Sequence, residues 1–335
     1  MCWIARHATG ARVNAETDLI RDYFRDLGVA RSDVTLGIGD DAAVVRPPAG
    51  CELVMTTDSL VEGSHFLPGA DPRSLGHRAL AINLSDCAAM GAEPYWALLS
   101  LNLPAVDHEW LKAFCTGFGA LLQQSGVALI GGNLTRGPLS ITVQMTGRVL
   151  AGAAIPRSGG RPGDLLCLSG STGNAAAGRG LLTRPDAPVP AGVRAALCQC
   201  FEFPAPRVAL GLALRGLASA CIDISDGLWT DLGRLAAASG CGAEIEQDTL
   251  PLSIALRTLA PGAALQLALC GGEDYELLFT LPRDRLGELQ ARALALGVPC
   301  TVIGRLRAEP GVNLRRGGSV MQFSPSPFDH FAVRD

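Results

Sequence analysis

Lysine is nearly missing from this 335-residue chain. Of its 28 Lys and Arg residues, Lys112 alone is lysine. It sits in Trp110-Leu-Lys-Ala-Phe114, which reads as ordinary helix. There is no Gly-x-x-x-x-Gly-Lys-[Ser/Thr], so a P-loop enzyme is excluded. The lysine-dependent protein-kinase pattern is missing too. Any phosphate chemistry must therefore rest on metal ions, arginine and backbone N–H groups. The 11 cysteines are scattered and none forms Cys-x-x-Cys. Cys198 and Cys200 are the nearest pair. That excludes a zinc knuckle and a secreted disulfide frame, and most of these thiols read as small buried apolar groups. No apolar run is long enough to span a membrane, and residues 1–7 show no secretory h-region. A cytoplasmic protein without membrane contact is expected. Net charge is -4 and no basic stripe is present, so nucleic acid is not expected as a partner.

What is present is apolar residues and acids. Hydrophobic residues make up 48% and charged residues 18%, enough for substantial cores, and the length suits two domains. The stretch Gly37-Ile-Gly-Asp-Asp41 places two adjacent carboxylates after two glycines, ahead of an apolar run that reads as a strand entering a core. Adjacent like charges need solvent or cations. A solvated Asp-rich turn and a cation site both remain open at this point.

Taken in order, residues 1–15 read as a loose extension and 16–27 as a helix. A strand, residues 52–58, ends in Thr56-Thr57-Asp58 and passes into a loop holding His65. Residues 71–91 form a helix whose apolar stripe (Leu75, Ala79, Ile82, Ala89, Met90) includes Asp86. That Asp either bonds to a neighbouring loop at a helix end or turns inward toward a metal. A strand at 127–130 runs into a glycine turn, Gly131-Gly132-Asn133, and alternation from Ser140 marks the next strand. Residues 151–162 are rich in Gly, Ala, Pro and Arg and mark the domain boundary. Residues 169–173 form a glycine turn before a helix start, suited to an anion. Its Gly170 and Gly173 do not make a dinucleotide motif. In Ile222-Asp-Ile-Ser-Asp-Gly227, Ser225 or Asp226 reads by default as a helix N-cap, whereas Asp223 interrupts an apolar strand. Gly271-Gly-Glu-Asp-Tyr-Glu276 repeats two glycines before two acids. Hard oxygen donors at strand ends in both halves, without His or Cys clusters, suit Mg²⁺ and phosphoryl chemistry.

These motifs, with Gly63-Ser-His-Phe66, Asn83-Leu-Ser-Asp86-Cys-Ala-Ala-Met-Gly91 and Gly131-Gly-Asn-Leu-Thr-Arg-Gly-Pro138, resemble the thiamine-monophosphate kinase family. That family sits in a superfamily with aminoimidazole-ribotide synthetase, selenophosphate synthetase and hydrogenase-maturation proteins. The resemblance runs from about Glu16 to Phe331. It implies a two-domain α/β (α+β) fold: residues 16–150 an N-terminal ATP- and Mg-binding domain that dimerises through its sheet, residues 151–335 a C-terminal domain completing the site. It implies ATP-dependent phosphorylation of thiamine monophosphate with several Mg²⁺ ions, in a homodimer. By position, Asp41, Thr56, Thr57, Asp58, Asp86, Asn133, Asp223 and Asp226 take the metal-ligand places. Gly132, Asn133, Arg157 and Ser225 take the ATP places, and His65, Glu273 and Phe328 those of the thiamine phosphate. No residue is assigned as general base. The chain departs from the family at Asn133, where the usual residue is Asp. An Asn brings less charge, and one metal is expected to bind more weakly. Two alternatives follow: a related ATP-dependent synthetase, or a nucleotide-binding protein with reduced turnover because of Asn133.

Overall fold

The helix spanning Pro72–Ala89 is the element both halves share. Its start is fixed locally: Asp71 accepts hydrogen bonds from the backbone N–H groups of Arg73 and Ser74, and Pro72 opens the first turn. The computed structural model describes residues 15–325. The expected extension lies outside these but for Ala15, and Phe328 lies outside them as well.

The described residues begin with α1 (Ala15–Leu19), which continues as a π-helical turn over Ile20–Phe24. Next come two short strands, β1 (Val34–Leu36) and β2 (Val44–Val45), paired antiparallel. The expectation of a strand entering a core is corrected here. The strand β2 has two residues and Val44 is 47% exposed. Among the described residues its two-stranded ribbon has no third strand, so Val34, Ala43 and Val45 only rest on the rim formed by Trp96 and Ile130.

The N-terminal sheet contains β3 (Cys51–Val61), β4 (Glu93–Leu103), β5 (Ala128–Arg136) and β6 (Ser140–Leu150), with α2 (Pro72–Ala89) and α3 (His108–Ser125) between them in sequence. Strand order is β3-β6-β4-β5, antiparallel except for β4 beside β5. One face packs on the helices through Leu60, Ile82, Leu99, Phe114, Phe118 and Val143. The predicted glycine turn at 131–133 is not a turn. The strand β5 passes straight through it, because Gly132 (φ +149°) lets β4 come close; a Cβ there would lie 1.8 Å from the carbonyl oxygen of Leu99.

Residues 151–164 carry no helix or strand. Beyond them lie β7 (Leu165–Ser169), α4 (Asn174–Leu182), α5 (Ala191–Glu202), α6 (Val208–Ala213), β8 (Ala220–Asp223), α7 (Leu228–Ala238) and β9 (Gly242–Glu246). Then follow α8 (Ile254–Leu259), α9 (Ala264–Cys270), β10 (Leu277–Leu281), α10 (Leu286–Leu296), β11 (Cys300–Arg307), β12 (Val312–Arg316) and β13 (Ser319–Met321). The sheet order is β13-β12-β9-β11-β7-β10-β8, with β12 and β9 the parallel pair. Apolar side chains of β7, β8 and α7 form its core. A further cluster joins Ala88 and Ala89 of α2 to Leu210, Leu214 and Phe279. The sequence stripe on α2 accounts for one side only. The helix is buried nearly all round because two domains cover it.

Candidate active site

Period-2 alternation on β3 decides where its polar residues go. Thr56 and Asp58 point to the helix side of the sheet, while Thr57, between them, points to the opposite face. The Thr57 hydroxyl donates to the carbonyl of Val143 at 3.1 Å. The Thr56 hydroxyl donates to Asp86 Oδ2 on α2. Thus the run Thr56-Thr57-Asp58 serves two sides of one sheet.

On the helix side the two domains enclose a cleft of about 750 Å³. From the N-terminal domain it is lined by Asp58, His65 and Asp86; Arg157 reaches it from the connecting segment. Asp223, Ser225, Asp226 and Glu273 line it from the C-terminal domain. Asp223 ends β8, and its Oδ2 accepts from Ser85 of α2 at 2.7 Å. The default reading of Ser225 or Asp226 as N-cap does not hold. The residue before α7 is Gly227, with no side-chain cap. Instead Asp231, inside the helix, accepts from the N–H groups of Ser225 (3.1 Å) and Asp226 (3.0 Å). Arg234 ties the turn together through Asp226 (2.5 Å) and Asp231 (2.8 Å).

The cleft carboxylates repel one another. Asp58 is pushed up to about 6, first by burial and then by the charges of Asp86, Asp226 and Glu273. Asp223 is pushed up to about 7 by burial and by Asp86, against the lowering pull of its Ser85 bond. Asp86 is also raised by burial, with Thr56 and Arg157 opposing. Among the described residues no three His, Cys, Asp or Glu side chains form a ready metal cage. The donors are nevertheless hard oxygens with excess negative charge. That suits Mg²⁺, which keeps waters and takes one or two carboxylates plus substrate oxygens rather than an all-protein cage.

A second depression, about 870 Å³, lies on the other side of the sheet. Asp41, Gly132 and Asn133 line it, together with Thr142 and Gln144. The predicted site residues therefore separate into two groups: Asp58, His65, Asp86, Arg157, Asp223, Ser225, Asp226 and Glu273 in the cleft, and Asp41, Gly132 and Asn133 outside it.

The Gly271–Glu276 stretch divides its acids among three tasks. Glu273 lines the cleft and pairs with Arg78 of α2 at 2.5 Å. Asp274 turns away and accepts from the N–H groups of Gly173 (2.6 Å) and Ala175 (3.1 Å) at the start of α4. The anion expected at that glycine turn is thus the protein's own carboxylate. Glu276 pairs with Arg207 at 2.5 Å and accepts from Ser169. Glu273 (φ +70°) and Tyr275 (φ +51°) hold left-handed backbones, which cost energy outside glycine and collect at functional sites.

The domain model for AIR synthase related protein, N-terminal domain, matches residues 39–149, and that for its C-terminal domain matches residues 161–317. The thiamine-monophosphate kinase of Salmonella typhimurium is 47% identical over 320 residues, covering 95% of this chain and 98% of that protein. The chain belongs to the thiamine-monophosphate kinases of the AIR synthase related family. Among solved structures, the thiamine-monophosphate kinase from Stenotrophomonas maltophilia K279a superposes with a TM-score of 0.82 at 42% identity, over 91% of this chain and 96% of that one. A ThiL complexed with AMPPCP and TMP superposes with a TM-score of 0.76 at 34% identity, over 88% and 92%. The enzyme thus has the two-domain α/β fold expected of it. Sequence reasoning missed Arg78, Ser85, Asp231 and Arg234. Arg78 carried a signal: with Ile82 and Asp86 it makes a polar-apolar-polar row at i, i+4, i+8 on one helix face.

Proposed function

We propose that this enzyme transfers the γ-phosphoryl group of ATP in line to the phosphate of thiamine monophosphate, giving thiamine diphosphate and ADP. The observation that carries the reading is the meeting of Asp58 and Asp86 from one domain with Asp223 and Asp226 from the other, beside Arg157, in a cleft without lysine. The acceptor oxygen is already anionic near neutral pH, since the second phosphate pKa is about 6. No general base is needed. What the site must do is hold two anions in line and screen their repulsion.

The cleft carboxylates, with the Thr56 hydroxyl, would hold Mg²⁺, whose positive charge offsets that of the phosphates. Arg157 offers a planar fork to phosphate oxygens. The Ser225 hydroxyl faces the same space, its backbone N–H already engaged by Asp231. His65 and Glu273 lie at the end assigned to the thiamine moiety, whose positive ring suits a carboxylate. Phe328 belongs to this end by family position and lies outside the described residues.

Asp41, Thr57, Gly132 and Asn133 belong to the outer side of the N-terminal sheet. That face also exposes Met55 (65%), Leu53, Val61, Leu98 and Leu150, an apolar patch rimmed by polar groups of the kind that marks an interface. We assign it to a second copy of the chain, so that the ATP end is completed only in the homodimer. Sedimentation of Met55→Asp should show monomer, with activity lost alongside. A dimeric Met55→Asp protein would remove this surface from consideration. The cytoplasm, where ATP and Mg²⁺ are plentiful, is the compartment this reading assigns; no described helix is long and apolar enough to cross a membrane.

The deciding experiment is purified protein with MgATP and thiamine monophosphate, reading thiamine diphosphate. Product absent over a full Mg²⁺ range would sink the proposal. In the same assay Asp86→Ala should lose about 10²-fold or more in kcat, the scale of losing one aimed electrostatic group. Its melting temperature should not fall, because a half-buried carboxylate raised by its surroundings has been removed. Full activity in Asp86→Ala would show that this side chain only packs.

A further inference from the structure

Arg78 is the most deeply buried charged side chain at the domain boundary, 1% exposed on α2. Its guanidinium gathers three separate segments. Nη2 donates to Glu273 Oε2 at 2.5 Å, across the domains. Nη1 donates to the backbone carbonyl of His65 at 3.3 Å. The guanidinium carbon lies 4.0 Å from the centre of the Phe201 ring on α5. The second bond to Glu273, from the Tyr275 hydroxyl at 3.4 Å, also falls on Oε2. Both bonds thus converge on one carboxylate oxygen of a residue that lines the cleft. The Glu273 backbone is fixed as well, its N–H donating to the carbonyl of Ser225 at 2.8 Å.

We propose that Arg78 is a positioning residue that sets His65 and Glu273, on opposite domains, at the spacing that receives the organic end of a cationic heteroaromatic phosphate. The inference rests on the assignment of His65 and Glu273 to that substrate. Arg78 touches no substrate itself. It works because a planar fork stacked on a ring has one orientation, which a flexible ammonium lacks. The same helix carries Asp86 eight residues on, about 12 Å along the axis at 1.5 Å per residue. One rigid element thereby sets the distance between the organic end and the phosphate end of the cleft.

The test measures thiamine monophosphate binding by calorimetry, with a non-hydrolysable ATP analogue and Mg²⁺ present, alongside steady-state kinetics. Arg78→Lys keeps the buried charge for Glu273 and loses the fork and the stack. Its Kd and KM for thiamine monophosphate should rise about tenfold to hundredfold, the cost of misplacing positioned groups. Its KM for ATP and its kcat at saturation should stay within about threefold of wild type. Arg78→Met should show a larger rise in the same constants, and where it melts early Arg78→Lys alone decides. Equal Kd in wild type and Arg78→Lys overturns the proposal. So does an equal loss in every constant, which a merely structural role would give. A wild-type protein that fails to bind thiamine monophosphate brings down the substrate assignment and this inference with it. Wild-type binding without turnover sinks the kinase reading and leaves the positioning claim standing.

Discussion

Ser85 Oγ donates to Asp223 Oδ2 at 2.7 Å, and this bond joins the central helix of one domain to a strand end of the other. Both groups are buried. The bond also draws Asp223 downward against the burial that raises it. Ser85→Ala should therefore do two things. It should cost about 1–3 kcal/mol of stability, the penalty for a buried acceptor left unmatched. It should also shift the acid limb of the pH–rate profile upward, because Asp223 then holds its proton to higher pH. Urea midpoints at constant m-value check the first effect. An unmoved limb would show that Asp223 ionisation does not govern turnover.

The raised carboxylates make metal-free stability fall with pH. Asp58 and Asp231 stand at about 6, and Asp223 and Asp274 at about 7, against about 3.9 in an unfolded chain. A group held above its unfolded value favours the folded state fully below pH about 4 and loses that contribution as pH climbs through its folded value. In EDTA, the melting temperature should thus be lower at pH 8 than at pH 5.5. Added Mg²⁺ should raise it, and more at pH 8, where protons no longer compete for the cleft oxygens. Equal Mg²⁺ shifts at both pH values would remove Asp58 and Asp223 as the metal site.

Much of this was legible in the sequence where one local rule governs. The helix expected over 71–91, the alternation from Ser140, and the helix start after Gly173 all emerge in the structure. The misreadings arise where a second chain segment intervenes. Gly131-Gly132-Asn133 reads as a turn by composition, yet Gly132 is there for the neighbouring β4 backbone. Thr56-Thr57-Asp58 reads as a strand end, which hides its alternation; β3 runs on to Val61. The strand Gly242–Glu246 was missed because Glu244 looks like a surface acid. Arg305 and Arg315 on neighbouring strands neutralise it. Asp274 reads as a second acid beside Glu273, since nothing in its own stretch reveals that Gly173 and Ala175 claim it.

Gly132→Ala tests the close approach of β4 and β5 directly. The residue lies at φ +149°, and an added Cβ would come within 1.8 Å of the Leu99 carbonyl oxygen, a backbone atom that cannot swing aside. A loss of about 1–3 kcal/mol or more is expected, from overpacking and backbone displacement together. Because Asn133 follows it and shares the second depression, activity should fall further than stability predicts. A variant as stable as wild type in urea would show that this strand pair can spread without cost.

Asn133→Asp separates the two depressions by function. Asn133 is exposed on the outer face, beside Ser100 of β4 in the sheet register. Substitution there should leave stability within about 0.5 kcal/mol. The added carboxylate lines the same depression as Asp41. It raises negative charge where the wild type offers a neutral amide oxygen, and a charged ligand holds Mg²⁺ more tightly than a neutral one. The Mg²⁺ concentration for half-maximal activity should therefore drop by about tenfold, the equivalent of about 1.4 kcal/mol. The thiamine monophosphate KM, set in the cleft by His65 and Glu273, should hold steady. If the Mg²⁺ dependence is unchanged, Asn133 lies outside the metal-binding part of the site, and the outer depression contributes to nucleotide or subunit contacts alone.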